Sequence, residues 1–287
     1  MKVGMVGLGR MGGNMAERLR RHGIEVVGWA RDPEKADVAS LADLVAALDP
    51  PRLVWLMLPA GEATEHTVDQ LHELLDEGDV VVDGANGFYR DAIRRAERLA
   101  GRGIGFVDCG VSGGVWGLEQ GYALMVGGDP DVVERARSVF EALAPPGGFA
   151  RMGAVGAGHY TKMVHNGVEY ALMEAYGEGY ELLTASELGV DVPAALEVWR
   201  HGSVVRSWLL DLLAQAVADD PGLTGLKGWA DDSGHGRSTV DEAVRLGVPI
   251  PTIAASLFAR FTSRQDDSPA MKVVAALRRE FGGHAVK

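Results

Sequence analysis

Apolar residues in the first 130 positions fall into short runs, separated by longer stretches in which they recur every three or four residues. Val3 to Val6, Glu25 to Trp29, Leu53 to Leu58, Val80 to Val82 and Gly105 to Asp108 read as strands. Gly12 to His22, Asp37 to Leu48, Ala63 to Leu75 and Tyr89 to Ala100, between them, carry helical spacing. Near-continuous apolar strands alternating with helices predict a parallel, doubly wound α/β sheet covered on both faces. After Gly156-Ala157-Gly158 the pattern changes. From Tyr160 onward the spacing is almost wholly helical, interrupted at Gly189, Pro193, Pro221-Gly222 and Pro249 to Pro251. Two domains are expected, 1–158 around the sheet and 159–287 all-helical. There is no internal repeat and no long Gly/Ser linker.

Composition agrees with that picture and narrows the chemistry. A chain of 287 residues with 47% hydrophobic and 24% charged residues can bury two ordinary cores. Twenty-eight basic against 40 acidic side chains leave a formal charge of −12. That field repels nucleic acid and anionic membranes, although a local cation cluster can still hold a small anion. No apolar run approaches the ~18 residues a membrane span needs, and Arg10 interrupts the short apolar start. The single cysteine, Cys109, follows an apolar run and reads as a small buried side chain; its isolation fits a reducing, cytoplasmic setting. The eight histidines show no metal-ligand spacing, so no metal is expected. Glycine is the outlier: 39 residues, about twice the usual share of ~7%. The glycines gather at strand ends and turns, where a backbone must meet something closely.

The first such place is Gly7-Leu8-Gly9-Arg10-Met11-Gly12, a G-x-G-x-x-G that follows a strand and opens a helix. Gly7 permits the tight turn, Gly9 lets the backbone approach a pyrophosphate, and Gly12 lets helix and strand pack closely. A plain glycine-rich turn satisfies the motif alone; inside a βαβ unit it predicts a Rossmann-type dinucleotide site. The second strand ends in Ala30-Arg31-Asp32, where an NAD site usually places an acid for the ribose. Ala30 occupies that position, and the Arg31 guanidinium suits a 2′-phosphate, which inclines the cofactor toward NADP. Asp32 keeps NAD open. Leu58, Pro59 and Ala60 after the third strand, and Asn86 after the fourth, complete the expected cofactor contacts.

Lys162-Met163-Val164-His165-Asn166-Gly167-Val168-Glu169-Tyr170 is the chemically richest stretch. At ~100° per residue, Lys162, His165, Asn166, Glu169 and Tyr170 share an arc of roughly 140°. A solvated face would carry simple Lys/Glu pairs; this one mixes an amine, an imidazole, an amide and a phenol. Asn86 and Ser112-Gly113-Gly114 follow successive strands, at the sheet edge where open α/β folds bind ligands.

These segments resemble the decarboxylating 6-phosphogluconate dehydrogenases in their short form, within the β-hydroxyacid dehydrogenase superfamily. The resemblance runs from Gly7 to His284. Its carriers are Asp108 to Gly117 with Tyr122 to Gly128, Gly158 through Tyr170, Gly202 to Trp208, and Leu277 to His284. It implies Lys162 as general base toward the substrate 3-hydroxyl and Glu169 as the acid that protonates C1 of the enediol left when carbon dioxide departs. Asn86, Ser112, Gly113, Gly114, His165, Asn166 and Tyr170 would hold carboxylate and hydroxyls. Arg237 and Thr239, in Gly234-His235-Gly236-Arg237-Ser238-Thr239, match the family's phosphate loop. Arg278 and His284 would reach the phosphate of a neighbouring subunit, implying a homodimer or larger assembly. The chain departs from the family at Gly87, His235 and Ser238, where Ser/Thr, Glu and Trp are usual. Those changes leave two alternatives open: the same chemistry on another C6 anion such as 6-deoxy-6-sulfogluconate, or a non-decarboxylating β-hydroxyacid dehydrogenase.

Overall fold

In the computed structural model, residues 2–282 and 285 are described. The apolar runs become seven strands: β1 (Lys2–Val6), β2 (Glu25–Trp29), β3 (Leu53–Leu56), β4 (Val80–Asp83), β5 (Gly105–Ser112), β6 (Ala123–Gly128) and β7 (Phe149–Gly153). They form one sheet in the order β2-β1-β3-β4-β5-β6-β7. Every neighbouring pair is parallel except β5 and β6, which run antiparallel from Val107↔Gly128 to Ser112↔Ala123.

Side chains alternate across a strand, so each central strand feeds two cores. Val3, Met5, Trp55, Val80, Val82, Val107 and Cys109 enter one core with Met15, Leu19 and Phe140. Val6, Val54, Leu56, Val81 and Phe106 enter the other with Leu44, Leu71 and Leu99. Helices cover both faces: α1 (Arg10–Arg21), α2 (Leu41–Ala46), α3 (Glu62–Leu74), α4 (Tyr89–Ala100), α5 (Gly117–Gln120), α6 (Pro130–Arg135) and α7 (Arg137–Leu143). The helix expected from Asp37 begins only at Leu41, because the Ser40 side chain accepts the Asp43 N–H and starts it there. Cys109 is fully buried, and burial pushes its thiol well up.

Three features at the sheet's far side differ from the sequence pattern. β5 continues four residues beyond Asp108, and β6 and β7 add two strands beyond the five expected from the apolar runs. Gly110 interrupts the apolar run of β5. β7 has no fully buried residue, so it carries no apolar signature.

α8 (Ala157–Thr184) is a single helix of 28 residues. The chain divides into two compact units, Met1–His165 and Asn166–Lys287. The division falls inside α8, a few residues beyond the expected boundary at 158. The second unit holds the rest of α8 with α9 (Val192–Arg200), α10 (Trp208–Asp219), α11 (His235–Leu246), α12 (Pro251–Ser263) and α13 (Pro269–Gly282). Its core gathers Val192, Leu196, Leu210, Ala214 and Val217 against Tyr176, Tyr180 and Trp199. Asp191 and Ser207 cap α9 and α10 through the Ala194 and Leu210 N–H groups. No helix among the described residues is long and apolar enough to cross a membrane.

Candidate active site

The G-x-G-x-x-G forms the turn from β1 into α1. Gly7 has φ +96°, and its N–H donates to the Trp29 carbonyl oxygen at 2.8 Å, tying the turn to β2. A Cβ at Gly12 would collide with the Gly7 carbonyl oxygen, whereas one at Gly9 meets nothing. Gly9 stands at the N-cap of α1 without a side-chain cap, leaving first-turn N–H groups of Arg10, Met11 and Gly12 for an anion. A cavity of about 1000 Å³ opens beside this turn. Gly7, Leu8, Gly9, Ala30, Arg31, Asp32, Leu58 and Pro59 line it, and Ala60 continues the turn after β3. A glycine cradle, a helix N-terminus and this cavity together fit a dinucleotide. Asp32 pairs within its own loop, with one carboxylate oxygen 3.2 Å from Lys35 Nζ and the other accepting the Glu34 N–H. His66, Thr67 and Gln70 of α3 form a wall that sequence reasoning missed. His66 and Thr67 are adjacent and Gln70 lies one turn further along an otherwise ordinary amphipathic helix, and no local signal separates them from a solvated face.

The strand ends of the first unit hold the next group. Asn86 adopts φ +53° and aligns its side-chain amide with β5: Nδ2 donates to the Val111 carbonyl at 3.0 Å, and Oδ1 accepts the Val111 N–H at 2.8 Å. That pairing extends the β4–β5 ladder by one side chain and sets where Ser112, Gly113 and Gly114 emerge. Lys162, in the second turn of α8, is buried, with Nζ 3.3 Å from His165 Nδ1. It lies against Gly110 of β5, where a Cβ would come within 2.5 Å of Lys162 Cβ. Beneath this corner a fully buried Asp83 accepts from Arg95 Nη1 at 2.9 Å, and Arg95 Nε donates to Glu65 at 2.8 Å.

In the second unit α11 packs on α8 at Gly167, where a Cβ would sit 2.8 Å from Thr239 Cγ2. Asn166 Nδ2 donates to His235 Nδ1 at 2.7 Å. Glu169 is half-buried on the same helix. The Tyr170 hydroxyl accepts the Ser233 N–H at 3.0 Å, and the Arg260 guanidinium lies 3.6 Å from its ring centroid. Thr239, buried, donates its hydroxyl to the His235 carbonyl. Arg237 does not point a bare charge outward: Nε and Nη2 donate to the two Asp232 carboxylate oxygens at 2.9 and 3.0 Å. Arg264 donates two more N–H groups to Asp232 at 3.0 Å. The Arg237 bond, then the Arg264 bonds, hold the Asp232 carboxyl far below the usual carboxylate range.

Arg260 and Arg264 were not among the expected site residues. Their signal was two arginines four apart at the end of an otherwise apolar helix, opposite the pair Asp231-Asp232. Arg278 is exposed on α13, and His284 lies outside the described residues. Among the described residues no cluster of three or more His, Cys, Asp or Glu side chains is arranged to hold a metal ion.

Residues 2–156 match the NAD binding domain of 6-phosphogluconate dehydrogenase, and residues 158–280 match the 6-phosphogluconate dehydrogenase C-terminal domain. The NAD(+)-dependent, decarboxylating 6-phosphogluconate dehydrogenase of Haloferax volcanii is 43% identical over 300 residues, covering 100% of this chain and 98% of that protein. The Bacillus subtilis NAD(+)-dependent, decarboxylating enzyme is 36% identical over 286 residues, covering 91% of this chain and 61% of that one. Among solved structures, Plasmodium falciparum 6-phosphogluconate dehydrogenase, determined in its apo form and with NADP+ and 6-phosphogluconate, aligns with a TM-score of 0.85 at 25% identity. That alignment covers 100% of this chain and 66% of the other, just under two thirds of its length.

Proposed function

This chain belongs to the 6-phosphogluconate dehydrogenase family, and from that premise we propose that it oxidatively decarboxylates 6-phosphogluconate to ribulose 5-phosphate with reduction of a nicotinamide cofactor. The observation that carries the reading is a buried lysine, Lys162, packed on β5 in the same unit as a glycine cradle built for a dinucleotide.

Gly7 to Gly12 would hold the pyrophosphate, and Ala30 to Asp32 the adenosine ribose. With Ala30 in place of an acid and Asp32 occupied by Lys35, Arg31 at the cavity favours NADP over NAD. Bound in this cradle, a nicotinamide would supply the hydride-accepting chemistry for oxidation at C3 of the substrate. Lys162 Nζ takes the 3-hydroxyl proton, and the resulting ammonium then donates a hydrogen bond to the new C3 carbonyl oxygen. That stabilises the enolate charge which develops as the C1–C2 bond breaks and carbon dioxide leaves. Glu169 delivers a proton to the former C2 carbon, now the terminal carbon of the enediol. Ser112, Gly113 and Gly114 would offer a hydroxyl and backbone N–H groups to the carboxylate; His165, Asn166 and Tyr170 would orient the hydroxyls and the C6 anion.

Lys162→Met should abolish turnover while leaving cofactor binding within about threefold, since the change removes the base but no part of the cradle. Carbon dioxide release equal to cofactor reduced separates this reading from simple β-hydroxyacid oxidation; reduction without carbon dioxide would overturn it.

The engagement of Arg237 and Arg264 by Asp232 supports a second reading of the substrate tail. With Asp231 also paired to Arg264, one net positive charge remains among Arg237, Arg260 and Arg264. A singly charged C6 anion such as the sulfonate of 6-deoxy-6-sulfogluconate matches that balance, and kcat/KM on the two substrates decides between them. The working unit is a dimer or larger, with Arg278 and His284 serving a neighbour's anion pocket. The apolar side chains Met271, Val274 and Leu277, 60%, 45% and 58% exposed on α13, support that surface as one to be covered. Light scattering on the full chain tests it, a monomer with full activity being the contrary result.

A further inference from the structure

α8 begins without a local cap. The residues ahead of it, Ala154-Val155-Gly156, carry no side chain able to accept the N–H groups that every helix start leaves unpaired. A carboxylate 48 residues upstream, in the middle of β5, meets that need instead. Asp108, fully buried, accepts the Gly156 N–H at 2.6 Å through Oδ1 and the His159 N–H at 2.7 Å through Oδ2. His159 is anchored a second time, its Nε2 lying 3.0 Å from the Asp83 carbonyl oxygen at the end of β4.

We infer that Asp108 is a positioning residue for catalysis: as a long-range cap it locks the first turn of α8 to the sheet and thereby places Lys162. The inference rests on the reading of Lys162 as the general base. Asp108 and Gly110 are two residues apart on β5 and so face the same side of the sheet. Asp108 holds His159, and Gly110 touches Lys162, three residues further along the helix. One strand face therefore sets both the height and the rotation of this turn. Nothing can slip between them: a Cβ at Gly158 would lie 2.5 Å from the Asp108 carbonyl oxygen and 2.8 Å from the Gly127 N. Gly127 is the register partner of Asp108 on β6. The backbones of helix start and sheet thus meet directly, and the carboxylate is the polar bond across that contact. A local Ser or Asp cap would satisfy the same N–H groups without tying α8 to the strand that carries Ser112 to the substrate.

The test uses the full-length enzyme with Asp108→Asn and Asp108→Ala, measuring kcat, KM for both substrates, cofactor Kd and Tm. Asparagine keeps one acceptor oxygen but presents an amide N–H to the second backbone donor, so kcat should fall in the order wild type, Asn, Ala. A loss of about 30-fold or more is expected for Ala, because a shift of ~1 Å in a reacting group costs about 10²-fold. Cofactor Kd should stay within about threefold, since Asp108 is not in the cradle. Leu99→Ala, on the buried face of α4, serves as a stability control: a comparable fall in Tm should leave kcat within about twofold. The inference is overturned if either Asp108 variant folds and keeps kcat within about threefold, or if the Leu99→Ala control loses as much. Lys162→Met separates the two layers. If it retains turnover, the reading of Lys162 fails; if it is dead while Asp108→Ala is active, only the positioning role fails.

Discussion

Adding one methyl group at Gly110 should disable the enzyme while leaving it able to bind its cofactor. An ideal Cβ there would stand 2.5 Å from Lys162 Cβ and 2.9 Å from the Gly158 carbonyl oxygen, where ordinary contact lies between 3.4 and 4 Å. Both neighbours belong to the rigid start of α8, and neither is the free end of a side chain. Relief therefore needs about 1 Å of separation between β5 and the helix. Overpacking of this kind costs ~1–3 kcal/mol. For a unit of this size that lowers Tm by roughly 3–10 °C. The catalytic cost is larger in proportion, since a displacement of ~1 Å in a reacting amine costs about 10²-fold in rate. Gly110→Ala should thus lower kcat by about 100-fold in a steady-state assay of cofactor reduction, with KM for the cofactor nearly unchanged, because Gly7 to Gly12 lie on another strand end. A folded Gly110→Ala enzyme with kcat within threefold of wild type and an unaltered Tm would refute the tight apposition on which the placement of Lys162 depends.

Three further outcomes follow from the same contacts. Arg31→Ala should raise KM for NADP by about tenfold or more, the value of one charge-assisted contact, and leave KM for NAD within twofold; equal shifts for both cofactors would count against Arg31 as the discriminating residue. Arg260→Ala should raise KM for the C6-anionic substrate at least tenfold while sparing cofactor KM, because it removes a guanidinium stacked on Tyr170; any turnover of unphosphorylated gluconate should be little affected. Asp232→Asn should cost about 2 kcal/mol at pH 7, since Arg237 and Arg264 lose the shared negative charge and one of the two acceptor oxygens. Its carboxyl is depressed in the folded state, so that stabilisation is complete above the ordinary carboxylate range and lost as pH falls through the depressed value. The Tm difference between wild type and Asp232→Asn should accordingly hold from pH 7 to 5 and shrink below about pH 4; a difference that grows on acidification would contradict the assignment.

Local pattern carried much of this protein. The first four strands, the helices between them, the dinucleotide turn and the polar arc of Lys162, Asn166 and Glu169 are all written within windows of a few residues. Within such a window, side-chain periodicity and glycine spacing leave few alternatives. The reading of Gly7 to Gly12 needed nothing more than a strand before it and a helix after it.

Elsewhere the deciding partner lay far along the chain. Gly110 ends an apolar run in the sequence, yet β5 continues through it, because the missing side chain makes room for α8. β7 lacks a buried face and is held as a strand by its pairing with β6. Asp108 looks like the polar end of a strand until its carboxylate is seen to accept N–H groups 48 and 51 residues away. Arg237 reads as a free cation, but folding sets it on Asp232 and brings Arg264 to the same carboxylate. Periodicity reports which face of an element is apolar, and so it specifies elements and the residues they can present. Which buried polar group meets which is settled only when those elements pack, because a carboxylate or guanidinium removed from water must find its partners wherever the fold has put them.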